Sequence, residues 1–118
     1  MNNKTIRTLN DVVYTALFGK DTTALLIYFG LSPLCLRDPD DEDLRDCMGI
    51  EALTAIDLIE RACTDALDGM GSVSFETARD IVQFHANQIA IEAKATAAGR
   101  GIDLLTGFEF VRQSDEQE

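Results

Sequence analysis

Residues 74–101 read SFETARDIVQFHANQIAIEAKATAAGRG, and this stretch decides the fold. The Ser74 hydroxyl can accept a hydrogen bond from a first-turn amide that has no partner inside a helix, so Ser74 is a natural N-cap. Gly99-Arg100-Gly101 supplies the residues a helix C-terminus favours. The spacing therefore predicts a long helix, roughly Phe75 to Ala98, with two apolar stripes. Phe75, Ala78, Val82, His85, Ile89 and Ala93 make one face. Ile81, Phe84, Gln88, Ile91, Ala95 and Ala98 make another at 3-4-3-4-3 spacing, the seam geometry of paired helices. Two stripes imply two partners. Either the helix is central in its own bundle, or the Ile81, Phe84, Gln88, Ile91, Ala95 seam meets a second chain. The alanines from Ala90 to Ala98 permit close approach in both cases.

Working back from this helix, the periodicity stays helical. Ile6, Leu9, Val13, Ala16 and Leu17 form one stripe that ends at Gly19-Lys20. Asp21 can cap a second helix, whose Leu25-Leu26-Ile27-Tyr28-Phe29 is apolar on every side before Gly30 stops it. Such a segment is either a helix buried all round or a short strand; no strand partner lies nearby, which favours the helix. Pro33 and Leu34-Cys35-Leu36 read as an extended connector. Asp38 with Pro39 reads as the cap and first position of a further helix, and Gly49 as a break or kink. Ile50 to Asp68 then continues with Ala52, Ile56, Ile59, Cys63, Ala66 and Leu67 inward. After Gly101, Phe108, Phe110 and Val111 suit an extended segment or small hairpin about Thr106-Gly107 that packs back on the bundle. The expected fold is all-α: one helical domain over residues 1–111, about five to six helices with a long C-terminal one, and a flexible polar tail at 112–118.

Charge is the second organising feature. Residues 38–68 hold eleven carboxylates against Arg45 and Arg61, a net of −9 within a chain of net charge −11. Part of this is ordinary, because acids in a first helical turn face the positive end of the helix dipole. The excess, Asp38, Asp40, Asp41, Glu42, Asp43 and Asp46, extended by Glu51, Asp57 and Glu60 and further by Asp65 and Asp68, reads as an acidic ridge. Such a field repels nucleic acid and attracts a basic protein surface. The ten basic residues are scattered rather than clustered, which argues against direct DNA or RNA binding.

No residue set encodes a reaction. The one histidine, His85, lies on an apolar helix face, where a core or interface role is the simpler expectation. An EF-hand starting at Asp38 would need glycine at Asp43 and a bidentate glutamate at Gly49, so that motif fails. Weak, nonspecific divalent-cation binding is all that the acidic run would support. Cys35, Cys47 and Cys63 are odd in number and have no CxxC spacing, which fits reduced structural thiols and no zinc site. Gly99-Arg100-Gly101 is too short for a phosphate loop. No catalytic residue, metal or cofactor is therefore expected. The longest apolar run, Ala24 to Leu36, is broken and far short of the ~20 residues a bilayer span needs. No signal peptide is legible, so a cytoplasmic location is expected.

Two functional expectations follow. One is a small acidic protein-binding module that occupies a basic partner surface, in the manner of immunity proteins, antitoxins, phage-encoded inhibitors or nucleic-acid mimics. The alternative is a homo-oligomeric structural or assembly adaptor, chaperone-like in its docking, that uses the α-helical seam and keeps its acidity for solubility.

Overall fold

In the computed structural model, residues 3–31 and 42–109 are described. They form five helices in chain order: α1 (Asn3–Phe18), α2 (Thr22–Phe29), α3 (Glu42–Arg45), α4 (Ile50–Asp68) and α5 (Phe75–Arg100). Among the described residues there is no strand beyond an isolated antiparallel bridge between Ile102 and Glu109. The protein is all-α with a long C-terminal helix, as the periodicity predicts. The expected Asp38 cap with Pro39, the connector at residues 33–36, Asp40, Asp41, Phe110, Val111 and the tail at 112–118 lie outside the described residues.

Local chemistry sets the boundaries. Asp21 is extended and its carboxylate accepts from the Ala24 amide at 2.9 Å, the N-cap of α2. At the other end Gly30 adopts φ 71°, which lets its amide and that of Leu31 donate back to Ile27 and Leu26. Ser74 caps α5, accepting from Thr77 N at 3.1 Å. Gly101 (φ 70°) closes that helix in the same way, and the Ile102 amide donates to the Ala97 carbonyl.

α5 is the spine. α1 and α4 both pack along it, α2 folds back on α1, and α3 bridges to α2. One contiguous cluster of buried side chains joins Val13, Tyr14 and Leu17 of α1 to Leu25 and Leu26 of α2, Leu44 of α3, and Ala52, Ile56 and Ile59 of α4. The face that α5 buries coincides in full with neither expected stripe. Ala78 and Val82 are buried, but they continue into Ala86, Ala90 and Ala97, while His85, Ile89 and Ala93 are half-buried and Phe75 is exposed. The reason is size. A face of alanines lets the axes of α1 and α4 approach α5 closely, and two neighbours can then share one narrow stripe.

α2 requires a second correction. Leu25 and Leu26 are buried, yet Ile27 is 76% and Tyr28 54% exposed, so this helix is covered on one side rather than all round. With eight residues lying against α1, it has neighbours for only part of its circumference. Tyr28 partly covers its ring with Lys20, whose ammonium stands 5.2 Å from the ring centroid.

The chain after Gly101 does return to the bundle. Ile102, Leu104 and Leu105 are buried, and a tight turn is held by Gly107 N to Asp103 O at 2.7 Å and Asp103 N to Phe108 O at 2.8 Å. Its docking point is Gly49, the N-cap residue of α4. The Gly49 amide donates to the Leu105 carbonyl at 3.0 Å. A Cβ on Gly49 would lie 2.5 Å from the Thr106 carbonyl oxygen and 2.9 Å from Gly107 N. Gly49 breaks the helix path as expected, and it also leaves room for another backbone.

Candidate functional site

The surface that stands out is the far side of α5. At about 3.6 residues per turn, Phe84, Gln88, Ile91 and Ala95 point roughly opposite to Val82, Ala86, Ala90 and Ala97. The buried face carries α1 and α4; the opposite face carries nothing among the described residues. Phe84 is 56% and Ile91 70% exposed, Gln88 and Ala95 are exposed, and Ile81 is half-buried at the edge. The structure thus brings the sequence-predicted seam residues together in one row on a helix of 26 residues that is capped at both ends. Phe84 stacks edge-on against His85 with ring centroids 5.2 Å apart, which draws the imidazole toward the seam's border. Between Ile81 and Gly99 this face carries no charge of its own; Asp80, Glu92 and Lys94 stand at its margins.

Around the helix from the seam, α4 and α5 diverge over a shallow groove of about 700 Å³. Ile50 and Leu58 of α4 and Ile89 and Ala93 of α5 supply its apolar walls. Glu51 and Arg100 close one end with an ion pair of 3.3 Å.

The acidic residues are distributed differently. Glu42 begins α3, and Asp43 and Asp46 are exposed. On α4 the predicted row divides. Asp57, Asp65 and Asp68 face solvent, Glu60 turns toward α3, and Glu51 turns toward the end of α5. Three of these carboxylates have internal cationic partners: Glu60 with Arg45 at 3.1 Å, Asp57 with Arg61 at 2.9 Å, and Glu51 with Arg100 at 3.3 Å. Leu53 is exposed on this outer side of α4, and the groove residues Ile50 and Leu58 border it, so the acids are interrupted by apolar groups.

The pairing of Arg45 has no sequence signal, because its partners come from segments far away in the chain. Its Nε donates to the Tyr14 hydroxyl at 3.1 Å, and its guanidinium fork meets both Glu60 oxygens, at 3.5 and 3.1 Å. Burial alone would depress the guanidinium's pKa, but Tyr14 and Glu60 outweigh it and hold that pKa above its ordinary value. Arg45 thereby ties the short α3 to α1 and α4.

Among the described residues, no group of three or more His, Cys, Asp or Glu side chains is placed to hold a metal ion. Cys47 is exposed, with its thiol near the Asp43 carbonyl at 3.6 Å, while Cys63 is buried in the core. Burial, with Glu60 nearby, pushes the Cys63 thiol above its ordinary pKa. No described helix is long and apolar enough to cross a membrane.

No family model matches this chain, and no curated protein or solved structure is significantly similar to it.

Proposed function

We propose that this chain is a noncatalytic protein-binding module that docks a partner helix on the solvent-facing seam of α5. The observation that carries the reading is the exposure of Phe84 and Ile91 on the face opposite the buried alanines. Large apolar side chains in a continuous row on a well-capped helix gain about 1.5 to 3 kcal/mol each when a partner covers them. Scattered single apolar residues need no such account, but a charge-free row does. A rigid helix also gives up little conformational entropy on docking.

The acidic surface supports a second reading, in which the module occupies a basic partner. Asp46, Asp65 and Asp68 are exposed and make no ion pair among the described residues, and the chain's net charge is −11. The internal pairing of Glu51, Asp57 and Glu60 makes it the weaker of the two.

Capture from a lysate of the native host separates them. A Phe84→Glu, Ile91→Glu variant is expected to lose the partner, and native binding should survive about 0.5 M salt, where the Debye length is only a few ångströms. Binding that persists in the seam variant but disappears with salt would replace the seam by the acidic surface. Neutralising Asp40, Asp41, Glu42 and Asp43 to Asn and Gln should slow association only in that case.

A further inference from the structure

We infer that the occupant of the α5 seam is α5 of a second copy of this chain, running antiparallel across a two-fold axis between Gln88 and Ile91. This rests on the seam being an interface and goes further by specifying what covers it. In an antiparallel pair the two core positions of the heptad oppose each other. Ile81 then meets Ala98 of the second copy, Phe84 meets Ala95, and Gln88 meets Ile91. The dyad repeats each pair in reverse.

Size complementarity favours this arrangement over the parallel one. Antiparallel, a large side chain opposes a small one in the two outer layers at each end, so the interaxial distance stays even along the seam. Parallel, Phe84 would be forced onto Phe84 while Ala95 and Ala98 faced their own copies, leaving a gap at one end. The antiparallel register also suits the one polar residue in the row. The two Gln88 side chains come within about 4.5 Å of each other along the axis, from ~1.5 Å per residue, close enough for their amides to bond across the dyad.

The margins agree. His85 falls beside Glu92 of the second copy and Asn87 beside Lys94; no like charges meet. The helix dipoles oppose, which favours the pair at both ends. Parallel pairing would align the dipoles.

A seam of about five turns is small beside the ~1,200 to 2,000 Å² of stable interfaces, so micromolar self-association is expected. Molar mass by light scattering or sedimentation, from about 1 µM to 0.5 mM, should show a monomer–dimer equilibrium for the native chain. Gln88→Lys changes an exposed residue and sets two ammonium groups beside the dyad. Like Phe84→Glu, Ile91→Glu, it should weaken the dimer at least about a hundredfold without loss of helical circular dichroism.

Orientation is read from cysteine pairs in chains whose Cys35, Cys47 and Cys63 are replaced by alanine. Mixing Phe84→Cys with Ala95→Cys chains should give a mixed disulfide on oxidation. Neither variant alone should link, since like positions would lie about 16 Å apart along the axis, beyond disulfide reach. A native chain still monomeric at 0.5 mM would overturn the second-copy assignment and leave the seam to a foreign helix. Linking by Ala95→Cys alone would overturn the antiparallel register but keep the seam. A dimer unaffected by both Gln88→Lys and Phe84→Glu, Ile91→Glu would place the contact elsewhere and sink the seam reading itself.

Discussion

Replacing Gly49 by alanine adds one methyl group at the point where the C-terminal turn meets the start of α4. That Cβ would stand 2.5 Å from the Thr106 oxygen, 2.7 Å from its carbonyl carbon and 2.9 Å from Gly107 N, all of them backbone atoms. None can swing away as a side-chain tip would, so the turn must retreat by most of an ångström. Retreat lengthens the 3.0 Å bond from Gly49 N to Leu105 O and pulls the buried Leu104 and Leu105 outward. Overpacking of this kind costs roughly 1 to 3 kcal/mol, and loss of the hydrogen bond about 1 more. Gly49 has φ −75°, which alanine adopts without strain, and the stiffer unfolded chain returns about 0.4 to 1 kcal/mol. Exchanging glycine for alanine at an N-cap is itself mildly unfavourable. The net expectation is a loss of about 2 to 3 kcal/mol, seen in urea titration as a lower midpoint with an unchanged slope. A Gly49→Ala protein as stable as the native one, or more so, would refute the docked position of residues 102–109.

Arg45→Ala should destabilise by about 1 to 3 kcal/mol, because it removes charge-assisted bonds to Tyr14 and Glu60 and loosens α3; Glu60→Gln, which spares the Tyr14 bond, should cost less, and equal losses in chemical denaturation would contradict the shared role. Cys63 should resist alkylation in the folded protein while Cys47 reacts freely, a difference resolved site by site in mass spectrometry. Since the folded Cys63 pKa lies above its unfolded value, the native state holds that proton longer. This contribution to stability is full below the unfolded thiol pKa of ~8.5 and declines as pH rises past it, which melting between pH 7.5 and 10 should show and Cys63→Ala should abolish.

Much of the helix plan was legible because its signals are local. Asp21, Gly30, Ser74 and Gly101 act on amides and carbonyls within a few residues, so each boundary follows from chemistry at that point in the chain. The seam of α5 was legible for the same reason, as a periodicity along one helix. Which stripe faces inward was not, because it depends on how closely two other helices can approach. Hydrophobicity ranks Phe84 and Ile91 above Ala86 and Ala90, whereas interaxial distance reverses that order here. The exposure of Ile27 and Tyr28 went unseen on similar grounds: composition shows that a helix is apolar, not how many neighbours it has. The pairing of Arg45 with Tyr14 and Glu60 joins positions 31 and 15 residues away, and nothing in the local sequence announces it.

The dependence of α1 on α5 has a consequence for synthesis. Val13, Tyr14 and Leu17 find their cover largely along a helix made of residues 75–100. A ribosome adding roughly 5 to 20 residues per second needs several seconds to pass from the end of α1 to Ala97. Throughout that interval the N-terminal helices have no spine to lie on, and their apolar faces are open to chaperones or to other nascent chains. This is a protein whose core can close only once α5 has been made.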